Sequence, residues 1–111
     1  MSYSLSIKYI DNEVFIDIYN QEGKIGNFMG DFSLVSVDKV KAFISDLDEG
    51  KNSILELNNT NGHCSIRFNK RILSFGVCDS GNVYCSLSFE IPYNETMGDE
   101  FKKLVKEMGL N

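Results

Sequence analysis

SILELNNTNGHCSIRFNKRILSFGVCDSGNVYCSLSFEI, residues 53–91, holds the pattern from which the fold can be read. Apolar and polar residues alternate through it with a period of two, the signature of strands that bury one face. The strands it predicts are Ser53 to Leu57, His63 to Asn69, Ile72 to Cys78 and Val83 to Ile91, with Pro92 ending the last. A slip of one residue sends every side chain of a strand to the wrong face, so the turns between these strands test one another. A turn at Asn59-Thr60-Asn61-Gly62 pairs Leu57 with Cys64 and Leu55 with Ile66. A two-residue turn at Lys70-Arg71 pairs Phe68 with Leu73, Ile66 with Phe75 and Cys64 with Val77. A three-residue turn at Asp79-Ser80-Gly81, with Gly81 left-handed, pairs Val77 with Val83, Phe75 with Cys85 and Leu73 with Leu87. All three turns place the apolar residues on one face.

Upstream, Leu5, Ile7 and Tyr9 alternate with Ser4, Ser6 and Lys8, and Val14, Ile16 and Ile18 continue the alternation after a turn at Asp11-Asn12. Gln21 to Lys24 reads as the next reversal and Ile25 to Leu34 as a weaker third strand, in which Gly26 and Gly30 mark possible bulges. Ser36 then has the character of an N-cap. Val37, Val40, Phe43, Ile44 and Leu47 recur at helical spacing until Gly50 supplies a left-handed terminus. A second amphipathic helix carries Met97, Phe101, Leu104, Val105 and Met108 on one stripe and stops at Gly109. The expected architecture is α+β in the order β-β-β-α-β-β-β-β-α: a curved antiparallel sheet of about seven strands with both helices packed on its apolar face. The 111 residues suit a single domain spanning 1–111.

Composition narrows the classes of function. With 42% hydrophobic residues, eight Phe and five Tyr, the chain has enough apolar surface for a core. The start, MSYSLSIKYIDNE, lacks the basic region and apolar run of a signal peptide, and no stretch has the apolar length of a membrane span. The protein is therefore expected to be cytoplasmic, with no membrane partner. Three cysteines, Cys64, Cys78 and Cys85, without CxxC spacing fit reduced thiols. A net charge of −5 and a pI near 4.7 disfavour nucleic acid as a partner. Residues 1–55 carry nine acids against five bases and residues 56–111 seven against six, so a charge-driven partner should be basic and should meet the first half.

Chemistry-bearing constellations are sparse. The register sets His63 opposite Cys78, the minimum for an activated thiolate, but no oxyanion-hole loop or glycine-rich elbow accompanies the pair, and neighbourhood without catalysis is the simpler reading. Cys64 and Cys85 point to the other face, which leaves too few converging ligands for a metal. Gly23, Gly26 and Gly30 lack the spacing and following helix of a phosphate loop. Glu56 and Glu90 share the outer face at roughly 14 Å, too far apart for a glycosidase pair. The expectation is a protein that is not an enzyme, with no catalytic residue, metal or cofactor.

Two surfaces suit a protein partner. On the outer face of the later strands the register groups Arg67 with Ser74 and Ser86, Ser65 with Gly76 and Tyr84, and His63 with Cys78, a flat surface of small residues on which Tyr84 and Arg67 could make contact. At the C-terminal end of the first helix stand Asp46, Asp48 and Glu49, where the negative pole of the helix disfavours acids. The last helix obeys that rule, with Asp99 and Glu100 early and Lys102, Lys103 and Lys106 later. An acidic knob of this kind, with Asp38, suits a basic partner.

The order GDFSLVSVDKVKAFISDL, then SILELNNTNGHCSIRF, then VYCSLSFEI leading to a terminal amphipathic helix resembles small immunity proteins of bacterial toxin systems, cytoplasmic antidotes that bind and block a toxin domain. Small phage or viral inhibitors of host defence share the size and acidity. The resemblance implies a non-enzymatic inhibitor that occludes a basic surface of a toxin or defence effector; it carries over no binding residue. The alternative is a structural or assembly subunit, viral or homo-oligomeric, and the chain could act as a monomer or a homodimer.

Overall fold

The computed structural model describes residues 2–59, 62–79 and 86–109. The chain is α+β. Strands β1 (Ser4–Ile10), β2 (Glu13–Asn20) and β3 (Gly23–Asp31) precede helix α1 (Val37–Glu49). Strands β4 (Ser53–Asn59), β5 (Gly62–Asn69), β6 (Ile72–Asp79) and β7 (Ser86–Pro92) follow, and helix α2 (Glu95–Gly109) comes last.

The strands are ordered in space as in sequence, and they form two antiparallel meanders of three and four strands. Among the described residues one backbone pair, Asp31 with Asn58, joins β3 to β4. This corrects the expectation of one continuous seven-strand sheet. The reason lies in the inward residues of β3. A Cβ on Gly26 would sit 3.4 Å from the Phe89 ring of β7, and the Phe28 ring lies 5.4 Å from that of Phe75 on β6. Beyond its single pair with β4, β3 therefore crosses the inner face of the second meander instead of running beside its first strand. Gly30 permits the approach: a Cβ there would lie 2.8 Å from Cδ1 of Leu57. A bulge between Ile18 and Tyr19 leaves Ile25 unpaired beside Gly26 and increases the bend.

Within the second meander the expected pairs Leu57–Cys64, Leu55–Ile66, Phe68–Leu73, Ile66–Phe75 and Cys64–Val77 are all present. The pairing of β6 with β7 is different. Val77 opposes Leu87, Phe75 opposes Phe89 and Leu73 opposes Ile91, four residues further along than a tight turn at Asp79-Ser80-Gly81 would allow. An even displacement keeps every side chain on its expected face. Residues 80–85, including that turn, Tyr84 and Cys85, lie outside the described residues.

Both meanders and both helices contribute to one apolar cluster, from Leu5, Ile16 and Phe28 through Phe43 and Leu47 to Ile66, Ile91 and Phe101. Ser36 caps α1 as its sequence suggests, accepting the Lys39 N–H, and Gly50 (φ 73°) closes it in the left-handed conformation. Helix α1 lies along β4 and α2 along β1, and the two helices meet through Phe43 and Phe101, whose rings are 5.6 Å apart edge to face. Helix α2 also covers the outer edge of β1, where the Ile7 N–H donates to Glu100 Oε1 at 3.0 Å. That satisfies one edge amide that another strand could otherwise recruit. Among the described residues no helix is long and apolar enough to cross a membrane.

Candidate functional site

The turns and helix ends gather at two opposite poles, and the sequence-derived candidates divide between them. One pole holds the β5–β6 turn, the end of α1 and the start of α2. Here Asp46 Oδ2 accepts from Ser53 Oγ at 2.7 Å, Asp48 pairs with Lys102 at 3.4 Å, and Glu49 pairs with Lys51 at 2.8 Å. Glu49 raises the Lys51 ammonium above its ordinary range, first by hydrogen bonding and then by its charge. The Arg71 guanidinium sits beside Gly50, 3.9 Å from where a Cβ would be, and so reaches the negative end of α1. The acids that oppose the helix dipole thus all have partners, Ser53 and Lys51 just beyond the helix and Lys102 from α2. Surface pairs of this kind are individually weak, about 0–1 kcal/mol each, but they leave these carboxylates engaged within the protein.

The same pole is braced by backbone ties. Lys70 and Arg71 occupy left-handed conformations (φ 51° and 65°), which disfavour residues other than glycine, asparagine and aspartate. The turn is held nonetheless. Lys70 N–H donates to Asn52 Oδ1 at 3.1 Å, the Arg71 carbonyl accepts from Tyr93 N–H at 2.9 Å, and the Arg71 guanidinium lies 5.6 Å from the Tyr93 ring centroid. Tyr93 also packs edge to face on Phe68 at 5.1 Å. Burial, and then the charge of Asp48, push the Tyr93 hydroxyl above its ordinary range, with Arg71 opposing. Asn94 closes the pole by donating to the Tyr3 carbonyl at 2.8 Å and capping α2 through the Met97 N–H at 3.3 Å.

The opposite pole carries the β1–β2 turn, the β3–α1 loop and the start of α1. Asp11 and Asn12 hold the left-handed positions of the turn (φ 51° and 66°), which these residue types tolerate. Phe32 N–H donates to the Asn12 carbonyl at 2.8 Å, which fixes the loop after β3 against that turn. Asp31 Oδ1 accepts from Ser33 N–H at 2.8 Å, ending the strand, and these contacts with Ser33 hold its carboxyl below the usual range. Glu13 faces Asp31 directly across the β2–β3 ladder, the placement in which like charges oppose pairing. Residues 10–13 and 31–40 contain four carboxylates, Asp11, Glu13, Asp31 and Asp38, against one ammonium, Lys39. No ion pair among the described residues involves any of the four carboxylates. Leu34, read from the sequence as the end of a strand, lies in the loop instead and is 82% exposed, and Ile10, before the β1–β2 turn at the same pole, is 54% exposed.

The remaining candidates lie on the outer face of the second meander. Arg67 is exposed and lies in a row with Ile54, Ser74 and Glu90. Ser86 opposes Cys78, where Ser74 was the expected neighbour, and Gly76 is opposed by Ser88, where Tyr84 was expected. The face is therefore less uniformly small than the sequence suggested, since Ile54 is 44% exposed within it. The backbones of His63 and Cys78 pair as expected, and their side chains lie outside the described residues. Cys64 is buried, and burial followed by the charge of Asp31 pushes its thiol up to about 11, which keeps it protonated and unreactive at neutral pH. Among the described residues no group of three or more His, Cys, Asp or Glu is placed to hold a metal ion.

Compared with known proteins, the chain matches no family model, no curated protein and no solved structure.

Proposed function

We propose that the protein is a non-enzymatic binding module, an acidic inhibitor of toxin-immunity or anti-defence type that occludes a basic surface on a partner protein. One observation carries this reading. The loop pole keeps Asp11, Glu13, Asp31 and Asp38 outside every ion pair of the described residues and sets Glu13 opposite Asp31, with Asp31 alone of the four engaged internally, by Ser33, whereas Asp46, Asp48 and Glu49 at the other pole all have partners. Like charges set directly opposite each other are the kind of local conflict retained for binding. Negative potential at one pole would steer a basic partner and speed encounter, and the covered surface would then be blocked without any bond being made or broken. Asp38 is the one sequence-derived candidate at this pole. Asp46, Asp48, Glu49 and Arg67 lie away from it, and Tyr84 is outside the described residues.

Differential affinity capture tests the reading. Wild-type protein should retain a basic protein from a native lysate, and Glu13→Lys with Asp38→Lys should lose it while still unfolding in one cooperative urea transition. A partner held equally by both forms would remove the loop pole from the mechanism.

A further inference from the structure

The outward residues of the first meander do not form an ordinary solvent face. Inward positions Leu5, Ile7, Val14, Ile16, Ile18 and Phe28 are buried, as alternation requires. Outward, Phe15 is paired across the ladders with Lys8 on one side and Met29 on the other, and Met29 is 43% exposed. Ile10 lies diagonally from Phe15, within the roughly 7–8 Å that large side chains span on a sheet. These three side chains form a strip leading toward the loop pole, where Leu34 projects from the loop anchored on Asn12. Isolated apolar residues on a surface need no explanation, but a strip on three adjacent strands that ends in an almost fully exposed leucine does.

The charges beside the strip decide what can cover it. Asp11, Glu13 and Asp31 flank its upper end, and Lys8 alone flanks it on β1. A second copy docking face to face would bring one net negative rim, three acids against Lys8, to another, so charge opposes self-association. We infer that this strip is a docking surface for a basic protein partner presenting an apolar pocket within a cationic rim, with Leu34 and Ile10 as the anchors that enter the pocket and Met29 and Phe15 as the adjoining floor. The inference deepens the acidic-inhibitor reading and rests on it. The carboxylates supply steering and specificity, and the desolvated aliphatic anchors supply the resistance to dissociation.

The experiment uses two short peptides of equal charge, one alternating lysine with leucine and one alternating lysine with serine, titrated into the full-length protein and followed by backbone amide shifts. The lysine–leucine peptide should bind about tenfold or more tightly than the lysine–serine peptide, with shifts at residues 9–15 and 28–35. Leu34→Ser with Ile10→Ser should abolish that preference. Both substitutions are at exposed positions, and an unchanged urea midpoint shows that folding is intact. Equal binding of the two peptides at the loop pole would overturn the anchors and leave the acidic reading standing. If neither peptide moves loop-pole amides, both readings are overturned. Shifts centred on α1 or on the second meander would place the surface elsewhere and overturn the inference.

Discussion

The two poles meet the same problem, a tight hairpin turn next to a concentration of acids, and solve it in opposite ways. At the braced pole an ill-suited turn, Lys70-Arg71, is held by Asn52 and Tyr93, and the acids of α1 find Ser53, Lys51 and Lys102. At the loop pole the turn residues Asp11-Asn12 suit their conformation and need little support, yet Glu13 and Asp31 oppose each other and Leu34 stands in water. Stabilising contacts are therefore concentrated where the sequence is locally strained. At the loop pole they fix the backbone, through Asn12, Asp31 and Ser36, and leave Glu13 and Asp38 outside any ion pair of the described residues, which is the distribution expected when one end is committed to folding and the other is left for contact.

The largest effect should come from breaking the braced pole. Phe68→Ala removes a buried ring together with its edge contact to Tyr93 and should cost about 3–5 kcal/mol in urea unfolding. A loss under about 1 kcal/mol would mean that the pole is not braced as described. Asn94→Ala, which deletes the α2 cap and the tie to Tyr3, should cost about 1–2 kcal/mol. The sign should reverse at the loop pole. Glu13→Lys converts a repulsive cross-strand pair into an attractive one and should stabilise by roughly 0.2–1 kcal/mol, with the gain shrinking as salt is added. If Glu13→Lys destabilises at low salt, the like-charge conflict is not real. Smallest of all, Leu34→Ser should change stability by no more than about 0.5 kcal/mol, because the side chain is already in water.

Cys64 gives a test that depends on pH. Its folded pKa is raised to about 11 from a reference of 9.0, so its contribution is fully present below pH 9 and is lost as the pH climbs toward 11. Cys64→Ala should flatten that part of the stability profile, and native Cys64 should resist alkylation at pH 8. Rapid native alkylation there would show the thiol to be accessible.

How much of this was legible in the sequence depended on the distance over which information had to travel. Alternation and short turns determined the pairing of β4, β5 and β6 correctly, since each pairing follows from residues a few positions apart. The β6–β7 register failed by four residues because Gly81 offered a plausible tight turn and alternation cannot distinguish shifts by an even number. The relation of β3 to the second meander could not be read at all. It rests on Gly30 meeting Leu57 and Gly26 meeting Phe89, contacts with no periodic signature. For the candidate site, the acidic bias of the first half and Asp38 were readable, but Leu34 was hidden by being counted into a strand. The Asp31-Phe32-Ser33 sequence, able to form an Asx turn, was the signal that the strand stopped earlier. The partner of Asp48 was harder, since Lys102 comes close only in the folded chain, whereas Lys51 and Ser53 lie within a few residues of Glu49 and Asp46.

The bond from the Ile7 amide to Glu100 gives α2 a second duty besides filling the core. A bulky fusion at the carboxyl terminus that pries the helix away would unmask β1 as a template for strand addition, and the damaged protein would precipitate before it lost its remaining strands. Affinity handles for this molecule therefore belong at its amino terminus.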